Sequence, residues 1–217
     1  MSAELIGLLW EATLQTLYMV AASTVLGTAF GLPLGVFLAT SQRGELLSSP
    51  CLNKALGLVV NATRSVPFII LVVAIIPLTR AIVGTSIGTN AAIVPLTLAA
   101  IPFIARLVEN AIREVDAGLI EAAQSIGCRR RHILAHVLLP EALPGIVGGF
   151  TITVVSMIGA SAMAGAVGAG GLGDVAIRYG YQRFDTTVMS VVIAILIALV
   201  CLVQLVGDTA VRRLRAR

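Results

Sequence analysis

Four stretches of this chain contain no Asp, Glu, Lys or Arg: Ala12 to Gln42, Ala81 to Ala105, Ala142 to Gly173 and Thr186 to Gly207. A helix needs about 20 mainly apolar residues to cross the hydrocarbon core of a bilayer, and each stretch is long enough. Charged residues make up only 12% of the chain, about half the share of an ordinary soluble domain. The few charges are segregated between the apolar runs. These facts predict an all-α integral membrane protein, organised as a single transmembrane domain over residues 1–217. No soluble second domain, long linker, low-complexity tract or clear internal repeat is visible.

Five crossings are expected. Four occupy the uncharged runs, at about Leu14–Thr40, Ala91–Val115, Ile146–Val167 and Thr187–Val206. The fifth is placed at Leu56–Thr79, with Arg64 in its first turn snorkelling toward the headgroups; a re-entrant or interfacial segment is the alternative. An odd number of crossings puts the two termini on opposite sides. The C-terminal tail carries Arg212, Arg213, Arg215 and Arg217, whereas the N-terminal tail has Glu4 and Glu11 and no basic residue. The positive-inside rule then places the N-terminus outside and the C-terminus in the cytoplasm. Arg43, Lys54 and Arg64 flank the first inner loop and Arg113, Arg129, Arg130 and Arg131 mark the second. Only Arg80, Arg178 and Arg183 fall outside.

The basic pI of about 9.4 therefore reflects orientation and contact with anionic lipid. No nucleic-acid partner is expected, because no basic patch is interleaved with aromatics. The N-terminus lacks the basic region of a secretory signal, so the first crossing is expected to direct insertion. Cys51, Cys128 and Cys201 are too few and too scattered for a disulfide framework or a metal centre.

Within the first crossing, Gly27, Gly31 and Gly35 repeat at four-residue steps, with Pro33 among them. Such a groove lets another helix approach closely, and Pro33 is expected to kink the helix. On the third crossing, Arg106, Glu109, Asn110 and Arg113 share one helical face. That face is either a paired border at the membrane surface or the mouth of a pathway. The fourth crossing is rich in Gly, Ala and Ser, including Ser161, with Met163 the bulky exception. Small residues leave room for a solute that one flexible thioether could gate, although close packing explains them equally well.

Between the third and fourth crossings lies the chain's main charged island. Asp116 can cap a helix on which Leu119, Ile120, Ala123 and Ile126 share a side. Gly127 is suited to terminate it left-handed. A second short helix with Ile133, Val137 and Leu138 on one side is expected, limited by Pro140 and Pro144. Arg129, Arg130, Arg131 and His132 at the turn exclude a crossing. The island reads as an amphipathic hairpin on the cytoplasmic surface.

Glu121-Ala122-Ala123, Gly127 six residues after the glutamate, and Leu139-Pro140 resemble the EAA loop of ABC-importer permeases; Val137 stands where Ile is usual. Further segments resemble the permease subunits of methionine importers. They include Arg64 to Leu71, Ile76 to Arg80, Val83 to Gly88, Pro102 to Arg106, Val108 to Ala111, Leu138 to Gly145 and Gly165 to Gly173. The resemblance covers most of the chain from Arg64 to Gly173.

It implies the fold of a type I importer permease in the bacterial inner membrane. Implied partners are a second copy of the chain, two copies of an ATP-binding subunit and a substrate-binding lipoprotein. It also implies that Glu121, Ala122, Ala123, Gly127, Val137, Leu139 and Pro140 receive force from the ATPase. Arg106, Glu109, Asn110, Ser161 and Met163 are candidates for a pathway or gate.

No phosphate-cradling loop is present, so ATP hydrolysis is assigned to another chain. No cofactor is expected. His132 and His136 are four apart but have no third metal ligand. The alternatives are a permease for another small solute or a stand-alone secondary transporter. The latter usually needs an intramembrane acid, and none lies in the four uncharged runs.

Overall fold

The computed structural model describes residues 3–42 and 48–216. Arg43 and Arg217, two of the arginines used to orient the chain, lie outside them. All regular structure among the described residues is helical. In order these are α1 (Ala3–Thr40), α2 (Pro50–Ser65), α3 (Phe68–Ala74), α4 (Ile76–Val83), α5 (Thr89–Arg113), α6 (Ala117–Ser125), α7 (Arg130–Ile133), α8 (Leu139–Gly165), α9 (Gly171–Val175) and α10 (Thr186–Arg215). Two π-helical turns, Leu134–Leu138 and Ala176–Tyr181, follow α7 and α9 respectively.

Among the described residues, four helical stretches are long and apolar enough to cross a membrane, and a fifth crossing is available as a bent pair. The crossing expected over Leu56–Thr79 is built from broken pieces rather than from one helix. α2 and α3 meet at 102°, and α4 follows as a separate piece. Pro67 is the physical reason. A residue before proline is pushed out of the helical region, and Val66 is extended at φ −82°, ψ 126°. Because α2 already begins at Pro50, Arg64 lies in its last turn rather than in the first turn of a crossing.

The glycine stripe of α1 packs against α5. A β-carbon added at Gly27 would lie 2.6 Å from Ala100 Cβ. One at Gly31 would lie 2.7 Å from the Ile101 carbonyl oxygen, and one at Gly35 would lie 2.7 Å from Val108 Cβ. The paired numbers rise together, so the two helices run parallel. α1 continues as one helix through Pro33. α8 runs antiparallel to α5, with Gly145 on Ala111 and Gly149 on Leu107. α10 runs antiparallel to α8, where Gly207 sits so close to Thr151 that no side chain fits.

Asp185 caps α10, accepting from the backbone N–H groups of Thr187 and Val188 at 3.0 and 3.1 Å. The helix does not stop at Gly207 but runs on to Arg215, and arginines in the last turn suit its negative dipole end. The core joins Met19, Leu96, Ala100, Ile104, Val108, Met157 and Ile158. α10 presents an apolar outer face of Ile193, Ile197, Leu202 and Leu205, as a lipid-facing helix requires.

Candidate functional site

The charged island folds as a hairpin at one end of the bundle. Asp116 Oδ1 accepts from Gly118 N–H at 2.6 Å and starts α6. The helix stops in a Schellman turn: Gly127 takes φ +78°, its N–H donates to the Gln124 carbonyl, and Cys128 N–H donates to the Ala123 carbonyl. Ala123 is buried at 7% exposure against the core that includes Ile133 and Leu138. Glu121, Ala122, Gly127 and Pro140 are exposed, and Val137 and Leu139 are half-buried.

Two expectations are corrected at this hairpin. Leu119 and Ile126 share the apolar side of the helix with Ile120 and Ala123, yet they are 44% and 79% exposed. α6 is only nine residues long, so Ala123, with Ile120 partly buried beside it, seats the helix and Leu119 and Ile126 stay outside. The second arm is also not a separate short helix ended by prolines. Arg130–Gly165 is a continuous helical stretch. The π turn absorbs Pro140: Leu139 N–H donates to the Leu134 carbonyl, five residues back. Pro140, which has no N–H to offer, follows that widened turn.

The polar face of α5 is a paired cluster. Glu109 is buried at 3% exposure. Its carboxylate accepts from Arg106 Nη1 at 2.5 Å and Arg113 Nη2 at 2.7 Å. Arg106 also donates through Nε and Nη2 to Asn61 Oδ1 at 3.2 and 2.8 Å, tying α5 to α2. Asn110 is exposed. A doubly paired carboxylate has its charge compensated and does not behave as a lone intramembrane acid. An open cleft of about 590 Å³ borders the cluster, reaching Asn53, Lys54 and Gln42.

On α8, Ser161 is buried at 1% exposure and donates to the Ile158 carbonyl at 2.7 Å. Met163 is 46% exposed. Two positions apart on a helix is a rotation of about 200°, so the two side chains belong to different faces. Gly165 and Gly173 are close-packing positions between α8 and α9. Gly159, by contrast, has open space around it.

Sequence reasoning missed the latch on the glycine loop. Gln15 Oε1 accepts from Gly171 N–H at 2.8 Å, and Thr16 Oγ1 accepts from Leu172 N–H at 2.9 Å. The partners stand 156 residues apart, beyond any local signal. Asn61 was visible as a polar residue, but its tie to Arg106 was not.

Residues 31–217 match the family described as binding-protein-dependent transport system inner membrane component. The chain is 59% identical over 210 residues to the probable D-methionine transport system permease protein MetI of Vibrio cholerae, covering 97% of this chain and 93% of that one. It is 42% identical to the methionine import system permease protein MetP of Bacillus subtilis, covering 92% and 90%. Among solved structures, an inward-facing MetNI methionine ABC transporter superposes with a TM-score of 0.96 at 49% identity, covering 99% of both chains. An amino acid ABC transporter with histidines shares the fold, with a TM-score of 0.79 at 19% identity.

Proposed function

This chain belongs to the family of binding-protein-dependent transport system inner membrane components, and from that premise we propose that it is the permease subunit of an ATP-driven methionine importer. Two copies line one pathway. Each hairpin seats on one of two ATP-binding subunits, and a substrate-binding lipoprotein delivers methionine from outside. The N-terminus faces the periplasm and the C-terminus the cytoplasm. Closure of the ATP-binding subunits draws the hairpins together and rocks the crossings from inward-facing to outward-facing; hydrolysis, on those separate chains, resets them.

The observation that carries this reading is the construction of the hairpin. α6 holds Glu121, Leu119 and Ile126 outward while Ala123 anchors it to the core. Its second arm continues without a break into α8. Displacement of the docking surface would therefore move a membrane crossing directly. Exposed apolar side chains around a charge, on a rigid mount, are what a protein partner needs.

Met163 is the candidate gate, half-exposed on α8 beside residues of α2, α3 and α5. Met163→Ala should raise the passive methionine leak of sealed proteoliposomes, and an unchanged leak would remove the gate. The function itself is tested by reconstituting the chain with its ATP-binding subunit and binding protein. Labelled methionine should accumulate only with ATP and all three components. Accumulation by this chain alone would overturn the proposal.

A further inference from the structure

An open cleft of about 270 Å³ lies where the second crossing breaks, lined by the end of α2, the start of α3, the middle of α5 and α8. Its walls are of two kinds. Phe103, Met157 and Met163 are apolar and, in the thioethers, deformable. Arg64 and Thr63 of α2 and Ser156 of α8 supply polar groups to its lining. The volume lies just below the range of about 300–1,000 Å³ typical of small-molecule pockets, which suits a single amino acid and excludes a peptide.

Arg64 is the informative residue. Arg106, Arg113 and Arg178 each have a carboxylate partner. Among the described residues Arg64 forms no ion pair, and its guanidinium lies over the Phe103 ring at 5.7 Å from the centroid. Phe103 is near the middle of α5, about 21 Å along the axis from Thr89 and about 15 Å from Arg113 at 1.5 Å per residue. Arg64 is exposed at the break, so its guanidinium is open to an anionic group that enters the cleft. Its fork geometry matches a carboxylate. Thr63 Oγ1 donates to the Val59 carbonyl at 2.9 Å and so keeps its lone pairs for an ammonium group.

We propose that this cleft is a transient binding site for a zwitterionic amino acid with a flexible, unbranched apolar side chain. The carboxylate pairs with Arg64, the ammonium with the hydroxyls of Thr63 and Ser156, and the side chain lies among Phe103, Met157 and Met163. The inference rests on the reading of the chain as a methionine importer and adds a stage at which the membrane subunit itself holds the substrate. Because Met163 borders the cleft, the proposed gate is one wall of the site.

Equilibrium binding of labelled methionine to the purified permease–ATPase complex, without the binding protein, tests it. The wild-type complex should show saturable binding near about 1 mM, displaced by norleucine and not by methioninamide. Arg64→Gln should weaken binding at least tenfold, Ser156→Phe should abolish it by filling the cleft, and Arg64→Lys, which keeps the charge but loses the fork, should recover only part of the loss seen in Arg64→Gln. Absence of saturable binding in a wild-type complex that still imports methionine would overturn the site and leave the function standing. So would equal affinity in wild type and Arg64→Gln, or displacement by methioninamide as effective as by norleucine. A wild-type complex that imports no methionine would instead remove the functional reading, and this site with it.

Discussion

At the scale of single residues, the glycines divide into those that carry packing and those that do not. Gly31 has the Ile101 carbonyl 2.7 Å and Ile104 Cβ 2.9 Å from where a β-carbon would stand, whereas Gly57 has nothing within 4 Å. Gly31→Ala should therefore cost about 1–3 kcal/mol through overpacking. Gly57→Ala, in the exposed part of α2, should be neutral or stabilise by up to about 1 kcal/mol. Thermal melts of the two detergent-solubilised variants should shift in opposite directions or differ clearly; equal shifts would remove the parallel α1–α5 packing. Glu109 gives a second residue-level test. Glu109→Gln keeps the volume but loses the charge facing Arg106 and Arg113, and should lower stability by about 2 kcal/mol. A melt unchanged by that substitution would mean that water already screens the cluster.

At the scale of elements, the hairpin combines a stiff mount with an exposed contact surface. Glu121→Arg reverses the charge on that surface. Gly127→Trp puts a bulky side chain at φ +78°, where residues other than glycine are strained. Both variants should stay membrane-inserted and dimeric by size-exclusion chromatography but lose at least nine-tenths of ATP-driven methionine uptake. Wild-type uptake by either one would mean that the hairpin is not the transmission element. The boundaries of this hairpin were legible in Asp116 and Gly127, because cap and left-handed turn are local chemistry. The exposure of Leu119 and Ile126 was not, because periodicity finds an apolar side without saying whether anything covers it. The break at Val66-Pro67 is a similar case. The run from Ser65 to Thr79 has the composition of a crossing, and counting charges is blind to a proline that turns the chain by 102°.

At the scale of the whole molecule, the apolar runs specified the class and four of the crossings, because lipid leaves a long uncharged segment few alternatives. The pairing of those crossings came from contacts far apart in sequence: Gly207 on Thr151, Gln15 and Thr16 on the loop at Gly171 and Leu172, Asn61 on Arg106. Orientation across the membrane rests on arginine asymmetry and has its own test. In a background with the native cysteines replaced, Phe184→Cys should react with an impermeant maleimide added to the periplasmic side. Ile126→Cys should react only after the membrane is opened. Both side chains are strongly exposed in the chain on its own, so with the permease expressed without its partners a reversed pattern would invert the topology.

The account as a whole turns on mechanical transmission from an ATP-binding partner through α6 and α7 into α8. Spin labels at Arg130→Cys in the two copies of the assembled complex measure that movement as a distance. ATP binding should shorten the hairpin-to-hairpin distance by several ångströms, and hydrolysis should restore it. An identical distance distribution with and without nucleotide, in a complex that still imports methionine, would contradict the account.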